Sequence, residues 1–277
     1  MVIFIACCNR DGDKKTMPRV ELIEIHDHPR FPAFLRNLVT DALQVIWNVS
    51  DFYRPIVPQL RRAMDACGTC QVVDLCSGGG GPWLRLCQNF ERQQQNPDLR
   101  VCLTDKFPNR EAFERAQSAS HARVAFCPNP VDATQVPAEL QGFRTMFSSF
   151  HHFAPEAARS VLRTAVESRQ GVGIFEAAKR SPRTMLLIFW VPFLALGLTP
   201  LIRPFRWSRL LWTYLLPVVP FVLWYDGIVS CLRTYSQEEL RELVREIPGA
   251  RWEMGEARTG MLPVTYIIGS PLVAPEP

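Results

Sequence analysis

One stretch of the sequence, residues 72 to 83, combines an apolar run, an acid and consecutive glycines. The run ends in Asp74, the glycines occupy positions 78 to 81, and a helical pattern begins at Trp83. Glycine allows positive φ angles and lets a ligand lie directly on the backbone. This pattern predicts a strand that leads into a loop for a phosphate- or nucleoside-sized ligand. A dinucleotide-binding fingerprint does not fit, because its third glycine would fall on Trp83.

Short runs with β-strand character alternate with helical patterns from residue 72 onward. This alternation predicts a parallel sheet covered by helices on both faces, and such a sheet binds ligands at the carboxyl ends of its strands. Asp105 closes the second run, where a carboxylate can accept two hydrogen bonds from a ribose diol. The first five predicted strands are residues 71–75, 100–104, 124–127, 145–150 and 172–176.

An acid followed after three residues by Gly78-x-Gly80 resembles the first motif of the class I S-adenosylmethionine-dependent methyltransferases. Pro130-Val131-Asp132-Ala133-Thr134 resembles the motif whose acid or amide meets the adenine amino group. Ser148-Ser149-Phe150-His151-His152-Phe153 resembles the segment under the methyl donor. Cys76 departs from the pattern, since it stands where the family often has its first glycine.

The resemblance covers about residues 33–180 and 231–270. It implies an α/β fold with a doubly wound, mostly parallel seven-stranded sheet, the Rossmann-like methyltransferase fold. Residues 250–254 and 263–269 look like the sixth strand and the antiparallel seventh. The implied cofactor is S-adenosyl-L-methionine, and the residues implied to bind it are Asp74, Cys76, Ser77, Gly78, Gly80, Asp105, Lys106, Asp132, Ala133 and Ser148.

Two adjacent histidines are the candidate catalytic residues. Methyl transfer from a sulfonium is an in-line displacement, so holding the acceptor about 3 Å from the methyl group in a water-poor site supplies most of the catalysis. If the acceptor is a hydroxyl, a thiol or a protonated amine, His151 or His152 could take its proton, because imidazole titrates near neutral pH. Alternatively, one histidine caps the helix that begins at Pro155 and the other packs.

Glu176 and Asp226 are candidates for binding a cationic headgroup or an amine of the acceptor. Glu176 ends the fifth predicted strand, and Asp226 follows an apolar stretch. Asp226 could instead pair with Arg233 as part of the structure.

Residues 33–64 carry apolar side chains at helical spacing, and Pro55 and Pro58 divide the pattern into two helices. In the family that the chain resembles, N-terminal helices close over the cofactor pocket. Tyr53 could therefore bind the substrate, and Trp47 could line the pocket. The alternative is that both are core aromatic residues.

Residues 181–230 lie outside the resemblance and are strongly apolar. Residues 184–202 and 210–225 contain no charged side chain, and an arginine-rich connector joins them. Both runs contain prolines and are near or below the ~20 residues of a spanning helix. Two spans would also carry the arginines to the far side of the membrane, against the positive-inside bias. The pattern therefore favours a hairpin, 184–225, that lies in the plane of the membrane or re-enters it, and the alternative is a soluble lid over the active site.

The side chains of this segment suit a membrane surface. Its aromatic residues fit the boundary between water and lipid, and its basic residues fit anionic headgroups. The aromatic residues are Trp190, Trp207, Trp212, Tyr214, Trp224 and Tyr225, and the basic residues are Lys179, Arg180, Arg183, Arg203, Arg206 and Arg209.

The predicted organisation has five parts. Residues 1–17 form an upstream extension, with Met17 as a plausible true start. Residues 18–66 form a helical cap, 67–180 and 231–270 the catalytic domain, 181–230 the apolar insertion and 271–277 a tail. Ser236 and Glu239 predict a capping box at the start of a late helix that runs to about Arg245.

Composition narrows the class of protein and of partner. A net charge of +4 without mixed basic and aromatic tracts argues against nucleic acid as a partner. Nine cysteines without the spacing of a secreted scaffold indicate reduced thiols in the cytosol. Cys67 and Cys70 have a metal-like spacing but no second pair, so no metal site is predicted.

The leading hypothesis is a methyltransferase at the cytoplasmic face of a membrane, peripheral or embedded, that acts on a lipid or another hydrophobic small molecule. One alternative keeps the activity but gives it a soluble metabolite as acceptor, with 181–230 as lid. The other is a non-catalytic cofactor-binding membrane protein, which Cys76 in the loop would suit. Nothing in the sequence defines the oligomeric state or the methylated atom.

Overall fold

The computed structural model describes residues 17–92, 98–259 and 262–272. Most of the predicted upstream extension, residues 93–97 and 260–261, and the last five residues of the predicted tail lie outside these ranges. Within them the strands are β1 Gln71–Asp74, β2 Arg100–Leu103, β3 Val124–Phe126, β4 Phe143–Phe147, β5 Val172–Glu176, β6 Ala250–Thr259 and β7 Leu262–Pro271.

The seven strands form one sheet in the order β3-β2-β1-β4-β5-β7-β6. β1 to β5 pair in parallel, whereas β7 runs antiparallel to both β5 and β6. The chain therefore starts at the centre of the sheet, moves to one edge and returns to build the other. The predicted fold class, a mostly parallel seven-stranded α/β sheet with an antiparallel last strand, is confirmed.

The helices are α1 Ala33–Ser50, α2 Val57–Ala66, α3 Trp83–Arg92, α4 Arg110–Ala119, α5 Pro155–Glu167, α6 Pro182–Ile188, α7 Val191–Leu198, α8 Trp207–Leu210, α9 Val218–Arg233 and α10 Gln237–Arg245. α1 and α2 are the two helices that the prolines predicted. The capping box of Ser236 and Glu239 is formed at the start of α10.

Helices cover the sheet on both faces. Adjacent strand residues such as Val72 and Val73, or Met146 and Phe147, belong to two different hydrophobic clusters. Since successive side chains of a strand point to opposite faces, the two clusters lie on opposite sides of the sheet. All five residues of β4 and of β5 are buried, as expected for central parallel strands.

The fourth strand is displaced from its prediction. It covers Phe143–Phe147 rather than residues 145–150, because Ser148 adopts a φ of 45° and Phe150–His152 form a 3₁₀ turn. The carboxylate of Glu176 accepts the N–H groups of Phe150 (2.8 Å) and His151 (3.2 Å). The turn thus presents the histidines at the carboxyl edge of the sheet instead of extending the strand.

The insertion forms a helical layer against α1. Ala195, Val219 and Val222 pack with Leu38 and Val39 of α1 in a third hydrophobic cluster. By length and composition, the helical stretch Pro182–Leu201 could cross a membrane. Trp207–Leu215 and Val218–Arg233 would count as a second span only if the pair, bent by 65°, were taken as one.

Two of the predicted headgroup-binding arginines are buried. Arg209 donates to Asp41 (3.1 Å) and to the carbonyls of Ile202 and Pro204, and Arg180 pairs with Glu239. The prediction that these two arginines contact headgroups was wrong, because each guanidinium bonds to partners inside the fold.

Candidate active site

A single cavity of about 890 Å³ lies between the carboxyl edge of the sheet, α1, the segment before α1, and the insertion. Its lining includes the glycine loop after β1, Asp105 after β2 and the histidines after β4. The three strand ends therefore open into the same space, as expected for an open α/β sheet.

Hydrogen bonds to the carboxylate of Asp74 hold the start of the glycine loop. This carboxylate is buried and accepts hydroxyl hydrogen bonds from Ser77 (2.7 Å) and Thr145 (2.7 Å). Burial raises the pKa of Asp74 to about 6, although these two hydrogen bonds oppose the shift. Asp74 therefore shapes the loop and forms part of the cavity floor.

Close approach of α1 explains the glycine at 79. A Cβ atom on Gly79 would lie 2.8 Å from the backbone oxygen of Thr40 in α1. Gly80 adopts a φ of 104°, which is unfavourable for other residues, and it does not line the cavity. The helical cap and the loop thus fit together only because two glycines are present.

Asp105 holds the loop from the next strand. Its Oδ2 accepts the N–H of Gly78 (2.7 Å), and its Oδ1 accepts the N–H of Phe107 (2.8 Å). Burial raises the pKa of Asp105, and the two backbone hydrogen bonds counteract part of this effect. A carboxylate has about four acceptor positions, so Asp105 can still accept hydrogen bonds from a diol in the cavity.

The strand order with its antiparallel seventh strand, and the acids at the ends of β1 and β2 beside the glycine loop, decide the fold. The chain has the class I methyltransferase fold. Cys76, Ser77, Gly78, Lys106 and Ser148 line the cavity together with the two acids.

No family model and no curated protein matches the chain. An O-methyltransferase family protein from Burkholderia thailandensis matches at 16% identity and a TM-score of 0.46, covering 81% of this chain and 57% of that one. An O-methyltransferase from neocarzinostatin biosynthesis, in complex with S-adenosylmethionine and 2-hydroxy-5-methyl naphthoic acid, matches at 16% and 0.45, covering 78% and 53%. Magnesium protoporphyrin IX methyltransferase from Synechocystis PCC 6803 with bound SAH matches at 14% and 0.42, covering 78% and 82%. The chain spans little more than half the length of the first two.

Cys76 occupies its position in a left-handed conformation. Its φ is 56°, in a region that disfavours residues with a Cβ atom. This explains why glycine suits the position in the family that the chain resembles. The backbone nevertheless adopts the required turn with cysteine, and burial raises the pKa of the thiol well above its ordinary value.

Asp132 and Ala133 do not line the cavity. Asp132 accepts hydrogen bonds from the N–H (3.0 Å) and the hydroxyl (2.6 Å) of Thr134, which lower its pKa, and it pairs with Lys106 (3.1 Å). Ala133 is buried in the cluster around β4 and β5. The described cavity wall therefore does not contain the predicted adenine contact.

His151 is clamped between two carboxylates. Its Nδ1 lies 2.8 Å from Oε2 of Glu176, and its Nε2 lies 3.4 Å from Oε1 of Glu24. Burial favours the neutral imidazole, but Glu176 and Glu24 outweigh it and raise the pKa of His151 to about 10. His151 is therefore an imidazolium at neutral pH and cannot act as a base there.

His152 has a different environment. Its Nδ1 lies 2.5 Å from Oδ2 of Asp27, and its Nε2 has no hydrogen-bond partner among the described residues. The side chain lines the cavity and is 19% exposed. A carboxylate at Nδ1 orients the ring and stabilises a proton taken up at Nε2, as in catalytic His–Asp pairs. The alternative that a histidine caps the helix at Pro155 was wrong, since the N-cap residue of α5 is Ala154 and neither histidine ring bonds to the start of α5 in the described part of the chain.

Asp226 and Glu176 have internal partners. Asp226 accepts the N–H groups of Ile25 (2.7 Å) and His26 (3.2 Å) and lies 2.7 Å from Nδ1 of His26. The predicted alternative partner of Asp226, Arg233, instead donates to the carbonyls of His151 and His152. Asp226 does line the cavity, whereas Glu176 lies behind the histidines.

Three residues of the segment before α1 complete this polar cluster, and the sequence interpretation missed them. Glu24, His26 and Asp27 all line the cavity. Although burial opposes it, the imidazoles of His152, His151 and His26 lower the pKa of Glu24 to about 2. A signal was present, because positions 24 to 28 hold four titratable residues next to a predicted helix.

Part of this cluster has the spacing of a metal site. One ligand atom each from Glu24, His26 and His152 lies within 4.8 Å of the other two. The Nδ1 atoms of the two histidines are already bonded to Asp226 and Asp27, so an ion would have to share or displace these carboxylates. Hydrogen bonding among the side chains thus accounts for the arrangement without an ion.

Tyr53 lies in the core. Its side chain is 1% exposed, and its hydroxyl is 2.6 Å from Oγ of Ser148. Ser148 lies between Tyr53 and the cavity, so Tyr53 positions a lining residue and is not itself in the lining. Trp47, in contrast, lines the cavity, as its pocket interpretation predicted, so the alternative of a core aromatic residue holds for Tyr53 but not for Trp47.

Proposed function

We propose that the protein is an S-adenosyl-L-methionine-dependent methyltransferase that acts on a hydrophobic small molecule or lipid. One observation carries this proposal: a single cavity contains both the glycine loop with Asp105 and the pair His152–Asp27. The first part suits a nucleoside, and the second suits the removal of a proton from an acceptor. Joining the two in one space is what group transfer requires.

The glycine loop, Asp105 and Ser148 would hold the cofactor. When bound, S-adenosyl-L-methionine supplies a methyl group on a sulfonium. Asp105 would accept hydrogen bonds from the ribose diol, and the loop backbone would hold the methionine part. Two carboxylates at this edge, Asp74 and Asp105, also provide negative charge near a cationic ligand.

His152 would take the acceptor proton. If the acceptor is methylated on a hydroxyl, Nε2 of His152 would take up the hydroxyl proton, and Asp27 would stabilise the imidazolium. His151, already charged, serves as a fixed partner of Glu176 and Glu24 that holds the turn bearing His152.

The wall that the insertion contributes to the cavity is apolar, and this wall supports a hydrophobic acceptor. Helices α6, α7 and α9 and the link between the first two contribute Leu187, Ile188, Trp190, Val191, Leu194 and Leu223 to the lining. The insertion therefore covers the cavity and acts as a lid. Its outer surface is also strongly apolar, which supports action at the cytoplasmic surface of a membrane rather than on a soluble metabolite.

Mass spectrometry tests the activity directly. Lipid and metabolite extracts from cells with and without the gene are incubated with purified protein and S-adenosyl-L-methionine carrying a labelled methyl group. We expect label to enter an apolar fraction from the cells that lack the gene. Label found only in water-soluble species would favour the soluble-metabolite alternative. Cofactor binding without any transfer would favour the non-catalytic one.

A further inference from the structure

The cavity lining includes exposed residues in at least two chemically different places. Near the glycine loop its lining includes Lys106, whose side chain is 64% exposed, and Phe107. At the insertion its lining includes Trp190 and Leu194, which are 56% and 51% exposed. Residues that line a cavity and are also exposed mark its openings. We call these the polar opening and the apolar opening.

The apolar opening continues into a large exposed apolar surface. Among the described residues, 14 of the 21 exposed large hydrophobic side chains lie between Leu186 and Trp224. Trp207 and Leu215 are 78% and 75% exposed. Such a concentration far exceeds scattered single residues and is typical of contact with a membrane or a partner.

Polarity changes along the cavity from this opening inward. Trp190, Val191 and Leu194 stand at the surface, whereas Glu24 and His151 stand at the buried end, 1% and 2% exposed. A molecule with one polar end and an apolar body matches this gradient when the polar end enters first. Its body would then remain among apolar side chains and lipid, with no hydrophobic area transferred to water.

We propose that the acceptor is an amphiphile resident in the bilayer that enters through the apolar opening, while the cofactor enters and leaves through the polar opening. This inference rests on the proposed function and names its substrate class. The charged, water-soluble cofactor is excluded from an apolar passage by the cost of desolvating its charges. Exposed Arg183 and Arg203, on the same segment, would contact anionic headgroups of the leaflet.

Photo-crosslinking from lipid tests the route. The full-length protein is mixed with phosphatidylcholine–phosphatidylglycerol vesicles that contain a phospholipid with a diazirine in its acyl chain, and crosslinked peptides are identified by mass spectrometry. We expect crosslinks on the outer surface at Leu215. We also expect them inside at Leu223, which is only 4% exposed and lines the cavity.

Leu194→Glu is the test variant, and Leu215→Glu is its matched control. The first places a carboxylate in the apolar opening, so we expect crosslinking at Leu223 to fall about tenfold relative to that at Phe193. The second places the same charge outside the cavity, so this ratio should stay unchanged. Calorimetry with S-adenosyl-L-methionine should give the same affinity for both variants and for the unmodified protein.

Three outcomes would overturn the inference. Crosslinks restricted to the outer surface would mean that lipid does not enter the cavity. Absence of all crosslinks would mean that the surface does not contact a bilayer. An equal loss at Leu223 in both variants would mean that the opening has no special role. Absence of cofactor binding in the unmodified protein would instead refute the proposed function, so the two failures are distinguishable.

Discussion

Nδ1 of His152 lies 2.5 Å from Oδ2 of Asp27, although 125 positions separate the two residues in the chain. The segment before α1, which forms a 3₁₀ turn at Ile25–Asp27, brings Asp27 to the carboxyl edge of the sheet. Arg19 helps to hold this segment, because its guanidinium donates to the carbonyls of Arg233 (2.7 Å) and Phe153 (3.0 Å). The candidate base and its orienting acid therefore come from distant parts of the chain.

Replacing His152 should impair the reaction more than cofactor binding. General bases contribute about 10²- to 10⁴-fold to rate, so His152→Ala should lower kcat by about 100-fold or more. Asp27→Asn should lower kcat less, because Asp27 orients the ring of His152 and does not itself take the proton. Initial rates and calorimetry separate the two effects.

His28→Ala is the control, since His28 is an exposed histidine of the same segment. It should leave kcat unchanged. Unaltered turnover in His152→Ala would contradict the assignment of His152 as the base.

Replacing Asp105 should weaken cofactor binding. Loss of a charge-assisted hydrogen bond corresponds to roughly 10- to 100-fold in affinity, so Asp105→Ala should raise the Kd for S-adenosyl-L-methionine by that factor. Asp132→Asn should change it little, because Asp132 does not line the cavity. Calorimetry measures the Kd for S-adenosyl-L-methionine in both variants. The reverse pattern would mean that the adenine contact predicted from the sequence is formed after all.

The histidine cluster should make stability depend on pH in two directions. His151 has its pKa raised to about 10, so its stabilising effect is complete below its unfolded pKa of about 6.5 and is lost as pH rises towards 10. Glu24 has its pKa lowered from 4.5 to about 2, so its effect is complete above pH 4.5 and is lost as pH falls towards 2. The Tm should therefore be highest between about pH 4.5 and 6.5.

His151→Gln should lower the Tm in that range and remove most of its decline at higher pH. Differential scanning calorimetry across pH measures both effects. An alkaline decline of the same size in this variant would show that other groups cause it.

Breaking the ion pair that joins the insertion to α1 should destabilise the protein. Asp41 accepts hydrogen bonds from Arg209 (3.1 Å) and Arg115 (2.7 Å), and Asp41 and Arg209 are both buried. Removing one partner of a buried pair costs about 3–5 kcal/mol, so Arg209→Ala should lower the free energy of unfolding by that amount. Denaturant titration measures it. Arg203→Ala, at an exposed position, should stay within about 0.5 kcal/mol, and equal effects would refute the distinction.

Membrane contact should depend on exposed residues of the insertion only. The full-length protein should float with anionic vesicles, and salt should weaken the binding. Replacing Arg183 and Arg203 with glutamate should weaken it further, whereas Arg241→Glu and Arg245→Glu on α10 should not. Protein that stays at the bottom of the gradient in every condition would leave the insertion as a lid alone.

Much of the fold, and the position of the glycine loop and Asp105 at one edge of the sheet, followed from local patterns in the sequence. The alternation of strand and helix signals predicted the sheet, and the glycines after Asp74 and the acid at position 105 predicted the loop at its edge. These predictions were possible because the steric and hydrogen-bonding rules behind them act over a few residues. The capping box at Ser236 was predictable for the same reason. Tertiary contact decided the rest.

Arg209 and Arg203 look alike in the sequence, yet one is buried against Asp41 and the other is exposed. His151 and His152 are adjacent, yet Glu176 and Glu24 hold the first as a charged residue while Asp27 orients the second. Partners that lie 25 to 168 positions away leave no periodic signal, because nothing in local spacing records which distant carboxylate a side chain meets. The identity of the candidate base is therefore a property of the folded chain, determined by the segment before α1.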